Sequence, residues 1–451
     1  MPHRRRPGLR SVVPATVALT ALGTLTLNAP SAYAAEIDIP CDPAALIREV
    51  TAANASADPD TLSLAPNCVY TLTAPADATW VAGLPAIKGK LTINGNHATI
   101  ARAQDAPQFR LISNWGDLTL NEITLTGGHA PDGVGTDSYG EANPGGSGGG
   151  IQNWGPLTIT GSVLTGNTSG AGAPGADATA TTRAGRGGLG GFGGGISSYS
   201  GTSLPLTITN SVITGNATGA GGRGGNGTGK EPGGRGGSGG FGGGVEGTSG
   251  SVLRITDSSV SGNTTGDGGK GGTGGAEGGG AGDGGGGGAG GGVFISADRD
   301  KPLNPAITGT KITANRGGRG GDSGVAGPGG YVGWAGYGGH GGGVSVFYDT
   351  LTLDGGAVTE NSAGEPGGGY HPSPARGGGI DTLSAHVTLI NGAVVSDNRP
   401  DNCYSVADVP GCVNPLRAAG LQRAGDAAVR EHQAEELALR QLAAASAMAG
   451  K

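Results

Sequence analysis

The sequence predicts an all-β solenoid: a parallel β-helix with an N-terminal cap, glycine-rich excursions on each turn and a helical carboxy-terminal tail. Three observations carry that expectation. A glycine triplet followed by Ile or Val recurs, ending at Ile151, Ile196, Val245, Val293, Val344 and Ile380. Each copy is followed 16 to 22 residues later by Asn167, Asn216, Asn263, Asn315, Asn361 or Asn398, always as apolar, Thr or Ser, any residue, Asn. A fixed signature at regular spacing marks an array of stacked units. Finally, 100 of the 451 residues are glycine and only 4% are aromatic. Glycine supplies no side chain to a core and loses the most backbone entropy on ordering, so aliphatic residues at strand spacing must carry the packing.

Taken in order, residues 1–34 read as a secretory signal peptide. Arg4-Arg5-Arg6, an uncharged stretch from Ser11 to Leu27 and Ala32-Tyr33-Ala34 supply the charged start, apolar middle and small-residue cleavage site. Residues 35–75 read as an N-terminal cap, because the open end of a solenoid exposes strand edges and apolar core. Within it, Asp42-Pro43 followed by Leu46, Ile47 and Val50 predicts a short amphipathic helix with Asp as N-cap and Pro at its first position. Residues 76–402 form the β-helix, 403–414 a disulfide loop and 415–451 the helical tail, rich in Ala, Leu, Arg, Glu and Gln. Cys41, Cys68, Cys403 and Cys412 fit an exported protein, and near-neighbour pairing, 41–68 and 403–412, is the simplest of three connectivities.

Each repeat carries three short strands. In Leu157-Thr158-Ile159-Thr160 the aliphatics share one face and the threonines the other. The pattern returns at Leu118-Thr119-Leu120, Leu206-Thr207-Ile208-Thr209, Leu253-Arg254-Ile255-Thr256, Leu351-Thr352-Leu353 and Val387-Thr388-Leu389. Three strands cannot bury their own apolar face, but stacked copies can, at ~4.8 Å per turn. The recurrent Asn suits a ladder in which each side-chain amide bonds the one a turn along. A propeller is the competing fold for this period, but its blades need four strands.

GGG[IV] followed by [LIV]-[TS]-x-Asn resembles the paired GGAI and FxxN motifs of polymorphic outer membrane protein repeats. More broadly, residues 36–402 are similar to bacterial secreted right-handed parallel β-helix proteins of the pectin-lyase-like superfamily. The resemblance implies a right-handed helix and speaks to fold rather than activity. Two departures stand out: Leu, Ile or Val replaces the Phe of FxxN in every copy, and the family's carboxy-terminal membrane barrel has no counterpart.

Between each Asn and the next Ile or Val lie excursions of 28, 28, 29, 28 and 18 residues. Flexible linkers drift in length, since extending a long loop costs little entropy. Near-constant length, with Gly-Gly-X arms such as 221–226 and 233–238 around Lys230-Glu231-Pro232, predicts hairpins of polyproline-II-like backbone stacked into a thin fin. Flexible, solvated loops are the alternative.

Candidate chemistry is sparse. Net charge is −7 with no basic run beyond the first ten residues, which excludes nucleic acid as a partner. No later segment approaches ~18 continuous apolar residues, so no transmembrane helix is expected in the mature chain. Asp257, Asp354 and Asp381 occupy different repeat positions and are not expected to line up; Gly282-Asp283 and Gly320-Gly321-Asp322 lack the register of calcium-binding repeats. The residues before the triplets, Ser147, Phe192, Phe241, Ala289, His340 and Arg376, share no chemistry, and His340 and His371 read as surface residues. Trp115 and Trp154, in Asn-Trp-Gly copies on adjacent turns, form a candidate carbohydrate platform. No catalytic group, metal or cofactor is expected. The expected function is that of a secreted, non-catalytic solenoid with a structural, adhesive or surface-binding role toward polysaccharide or cell-surface components. The alternative is a polysaccharide lyase or glycoside hydrolase on the same fold.

Overall fold

The computed structural model describes residues 36–136, 141–405 and 407–414. The expected signal peptide and helical tail lie outside them. The strands form three all-parallel sheets of ten, nine and seven strands, an all-β arrangement consistent with a parallel β-helix.

Neighbours within a sheet lie one coil apart in the chain. Ile151–Asn153, Leu157–Thr160 and Val163–Thr165 make one coil, and Ile196–Tyr199, Leu204–Thr209 and Val212–Thr214 the next. Their register is in phase: Ile151 lies opposite Ile196, Leu157 opposite Leu206 and Leu164 opposite Ile213. A slip of one residue would turn every apolar side chain outward, so the buried columns themselves hold the register. The columns through Ile151, Ile196, Val245, Val293, Val344 and Ile380, and through Leu164, Ile213, Val260, Ile312 and Val358, are at most 3% exposed.

The ladders run without a break through residue 75, the expected end of the cap. Asp60–Leu64 pairs with Lys90–Asn94, and Val69–Leu72 with Thr99–Arg102. What covers the first coil is the strand Glu36–Ile39 and the helix Pro43–Ala53, which buries Ala45, Leu46, Val50 and Ala53. Asp42 caps that helix by accepting from the Ala44 amide at 3.0 Å. The cysteines pair as 41–68 and 403–412, with Cα separations of 5.6 and 6.4 Å. At the far end Cys403, Val409 and Cys412 join the continuous core.

The recurrent asparagines form one uninterrupted ladder. The Nδ2 of Asn167 donates to Oδ1 of Asn216, and the relay continues through Asn263, Asn315, Asn361 and Asn398 at 2.9–3.0 Å. From Asn216 to Asn398 each Oδ1 also accepts the backbone N–H of the preceding asparagine, that of Asn167 accepts the Gly128 N–H instead, and each Nδ2 also reaches a carbonyl on the preceding coil, as Asn263 does to Ile213 at 2.9 Å. Side chains from Asn167 to Asn361 are 0% exposed and fully paired, as burial of an amide requires. Beyond the last repeat the ladder runs on to Asn402, whose own Nδ2 donates to the Val413 carbonyl at the disulfide loop.

The glycine triplets have a specific backbone role. In the copy before Val245, Gly242 has φ +68°, and a Cβ on Gly243 would overlap the carbonyl oxygen of Gly291 on the next coil. The excursions leaving and returning at these triplets are ordered. Gly221 and Gly224 donate to Asp267 and Lys270 of the following excursion, both at 2.8 Å. Gly222 and Gly225 donate to Gly188 and Gly185, on the returning arm of the preceding one, at 2.8 and 2.9 Å. The returning arm repeats the scheme: Gly236 and Gly239 bond Asp283 and Gly286, while Gly234 and Gly237 bond Gly225 and Gly222. Bonding with a three-residue period, without strand ladders, is the pattern of packed polyproline-II-like arms. The excursions therefore stack into the expected fin.

Candidate functional site

Trp115 and Trp154 do meet, and a third indole joins them. The pair stacks with centroids 4.1 Å apart and planes 17° apart. Trp80, outside the repeats, tilts across both at 4.5 and 5.0 Å. It is held there by its loop: Asp77 accepts from the Thr79 and Trp80 amides at 2.9 and 3.0 Å, and Arg110 donates to the Trp80 carbonyl. Burial pulls the Arg110 guanidinium down to about 10, with the Asp77 carboxylate opposing. A sugar platform presents open ring faces. Stacking sets one face of Trp115 against one face of Trp154, and all three indoles are half-buried.

The densest group of titratable residues lies elsewhere, on the outer face of the seven-stranded sheet. His340 Nδ1 stands 3.7 Å from Asp381 Oδ1, and Ser345 Oγ donates to Asp381 Oδ2 at 3.4 Å. Arg376 donates to the Tyr404 hydroxyl at 2.8 Å, and Asp401 accepts from the Gly378 amide at 3.2 Å. Burial pushes the Asp401 carboxyl up; the backbone amides of Gly378 and Gly377 oppose this, Asp381 adds to it and His340 opposes it. His340 and Asp381 are 2% exposed, Asp401 4% and Arg376 5%. His340 is therefore not the surface residue expected from its glycine-rich surroundings. The cause is a packing rule. The residue before a triplet folds over the outer face of this sheet and meets the residue after the Ile or Val of the next coil. The same rule brings Phe241 to Phe294, centroids 4.8 Å apart, in a buried aromatic cluster with Phe347. Both rows were visible in the repeat alignment; their facing each other was not.

The acidic residues of the excursions have a structural task. In Gly-Gly-X triplets such as 221–223 and 224–226 the two glycine amides bond neighbouring arms, which leaves the amide of X. Where the preceding row carries Asp or Asn at that position, its side chain takes this amide. Asp177 accepts from Asn226, Asp267 from Arg319, Asp283 from Trp334 and Asp322 from Gly368, all at 2.7 Å. The backbone amide of Asn226 is the first reason the Asp177 carboxyl sits below the usual carboxylate range, and that of Gly368 does the same for Asp322. Asp283 and Asp322, the two acids of the calcium-like fragments, are thus engaged as backbone acceptors between rows.

No helix among the described residues is long and apolar enough to cross a membrane. None of the known protein-family models matches this chain, and no curated protein matches it.

Proposed function

We propose that this protein is a secreted, non-catalytic right-handed parallel β-helix of pectin-lyase-like architecture that acts as a rigid surface-binding scaffold. Two disulfides and the leader-like amino terminus support export. The observation that carries the reading is the division between outward and buried chemistry. Outward columns of the two larger sheets are mainly hydroxyls, Thr119, Thr158 and Thr207 on one and Thr126, Thr165 and Thr214 on the other, with single charges such as Arg254, Lys311 and Asp354 scattered among them. The acid, base and cation that do converge, around His340, are at most 5% exposed. Glycoside cleavage needs two carboxyl groups flanking the scissile bond, in contact with the glycan. Asp381 and Asp401 at 2% and 4% exposure cannot make that contact, and the bonds from Gly378 to Asp401 and from Arg376 to Tyr404 tie the segment 401–404 down over the sheet.

The test is to incubate the purified protein with a panel of plant, fungal and bacterial polysaccharides, following adsorption and product release together. Adsorption without turnover is the expected result. Release of unsaturated or reducing ends would establish the lyase or hydrolase alternative.

A further inference from the structure

Tyr331, Trp334, Tyr337 and His340 stand at every third position of the returning arm of one excursion. A three-residue period places them in one row, ~9 Å apart. The row runs from solvent to the rod: Tyr331 is 62% and Trp334 55% exposed, Tyr337 5% and His340 2%. The preceding row is shaped to receive these rings. A Cβ on Gly280 would collide with the ring of Tyr331, and one on Gly286 with the ring of Tyr337. The Tyr331 ring therefore lies against glycine backbone and turns its other side to solvent. The following excursion, ten residues shorter at 18 against 28, adds Tyr370. Ala335 donates to the Tyr370 carbonyl at 3.0 Å, and Tyr370 is 53% exposed. The rings of Tyr370 and His371 both lie 5.4 Å from that of Trp334.

We propose that Tyr331, Trp334, Tyr370 and His371 form a polysaccharide-binding site on the fin. This rests on the surface-binding reading above and deepens it by naming the place and the ligand class. A sugar ring has apolar C–H faces and a rim of hydroxyls. Exposed aromatic rings take the faces, while the imidazole of His371 and the edge of the fin backbone take hydroxyls. Large rings held in the open on a backbone that supplies almost no other apolar surface mark an interaction site. A protein partner fits less well, because a stable interface buries about 800 Å² per side around a contiguous apolar core. Here the apolar surface is one small group of rings, Trp334 with Tyr370 and His371, and Tyr331 one triplet away, set in a glycine backbone.

The test is co-sedimentation of the full protein with insoluble cellulose, chitin and β-1,3-glucan. The wild-type protein is expected to bind at least one of them. Joint Tyr331→Ala and Trp334→Ala substitution should weaken that binding about tenfold or more at an unchanged melting temperature. Tyr331→Phe with Trp334→Phe, which keeps the rings, should retain it. Tyr370→Ala, on the separate following row, should also weaken binding and serves if the double variant loses its fold. Undiminished binding by folded alanine variants overturns the site and leaves the surface-binding reading standing. Failure of the wild-type protein to bind any of the three polymers overturns both.

Discussion

Asn263→Ala is expected to lower the stability of the rod by about 4 kcal/mol or more, read from the denaturant midpoint of the circular-dichroism signal of the β-structure. Asn263 is 0% exposed and sits in the middle of the ladder. Its Oδ1 accepts both the backbone N–H and the Nδ2 of Asn216 at 3.0 Å. Its Nδ2 donates to the Ile213 carbonyl and to Asn315 Oδ1 at 2.9 and 3.0 Å. Alanine therefore strands two buried donors on Asn216 and removes a donor from two acceptors. Each stranded group costs about 1–3 kcal/mol, and the space left by the amide adds to that. Thr207→Ala, at a partly exposed outward position, removes no buried partner and should change stability by no more than about 0.5 kcal/mol. Equal effects of the two substitutions would mean the ladder is incidental to the rod.

Gly222→Ala is expected to melt the fin locally, at a cost of about 3 kcal/mol, while sparing the rod. A Cβ at Gly222 would lie well inside 3.0 Å of the Ala173 carbonyl oxygen on the preceding row, and that contact is with backbone, which cannot rotate away. The neighbouring Arg223 is exposed, so Arg223→Ala should be silent. Limited proteolysis distinguishes the variants: Gly222→Ala should be nicked between residues 217 and 244 with the β-structure retained, and Arg223→Ala should resist like the wild type. The contrast follows from the three-residue period, in which two positions face neighbouring arms and one faces solvent.

The rod was legible because stacking imposes a fixed spacing, and a fixed spacing survives in the residues themselves. Ile151, Ile196 and Val245 announce a column, and Asn167 to Asn398 a ladder. The fin was legible from constant loop length and the Gly-Gly-X period. Contacts between columns were harder. Repeat alignment shows which residues stack along the rod but not which column folds over which, so His340 and Asp381 looked unrelated. The relation is a simple one, the residue before a triplet against the second residue after the next triplet, and Phe241 with Phe294 carries it too. Trp80 was missed for a different reason. It belongs to no repeat, and only the loop held by Asp77 and Arg110 brings it to Trp115 and Trp154. The acids of the excursions were misleading in isolation, since their partners are backbone amides on the next row.

The stacked fin on a stacked rod is tested most directly by residue-resolved amide hydrogen exchange in the wild-type protein. Gly221, Gly222, Gly224 and Gly225 should exchange slowly as a set, since each donates to a neighbouring arm. Arg223 and Lys270, whose amides have no partner among the described residues, should exchange fast. Asn226 and Thr273, at the same place in their triplets, should be slow because Asp177 and Asn226 accept their amides. That two-slow, one-fast rhythm, interrupted where Asp or Asn stands on the preceding row, is the predicted result. Uniformly fast exchange from residue 219 to 240, beside a protected rod, would contradict the fin outright.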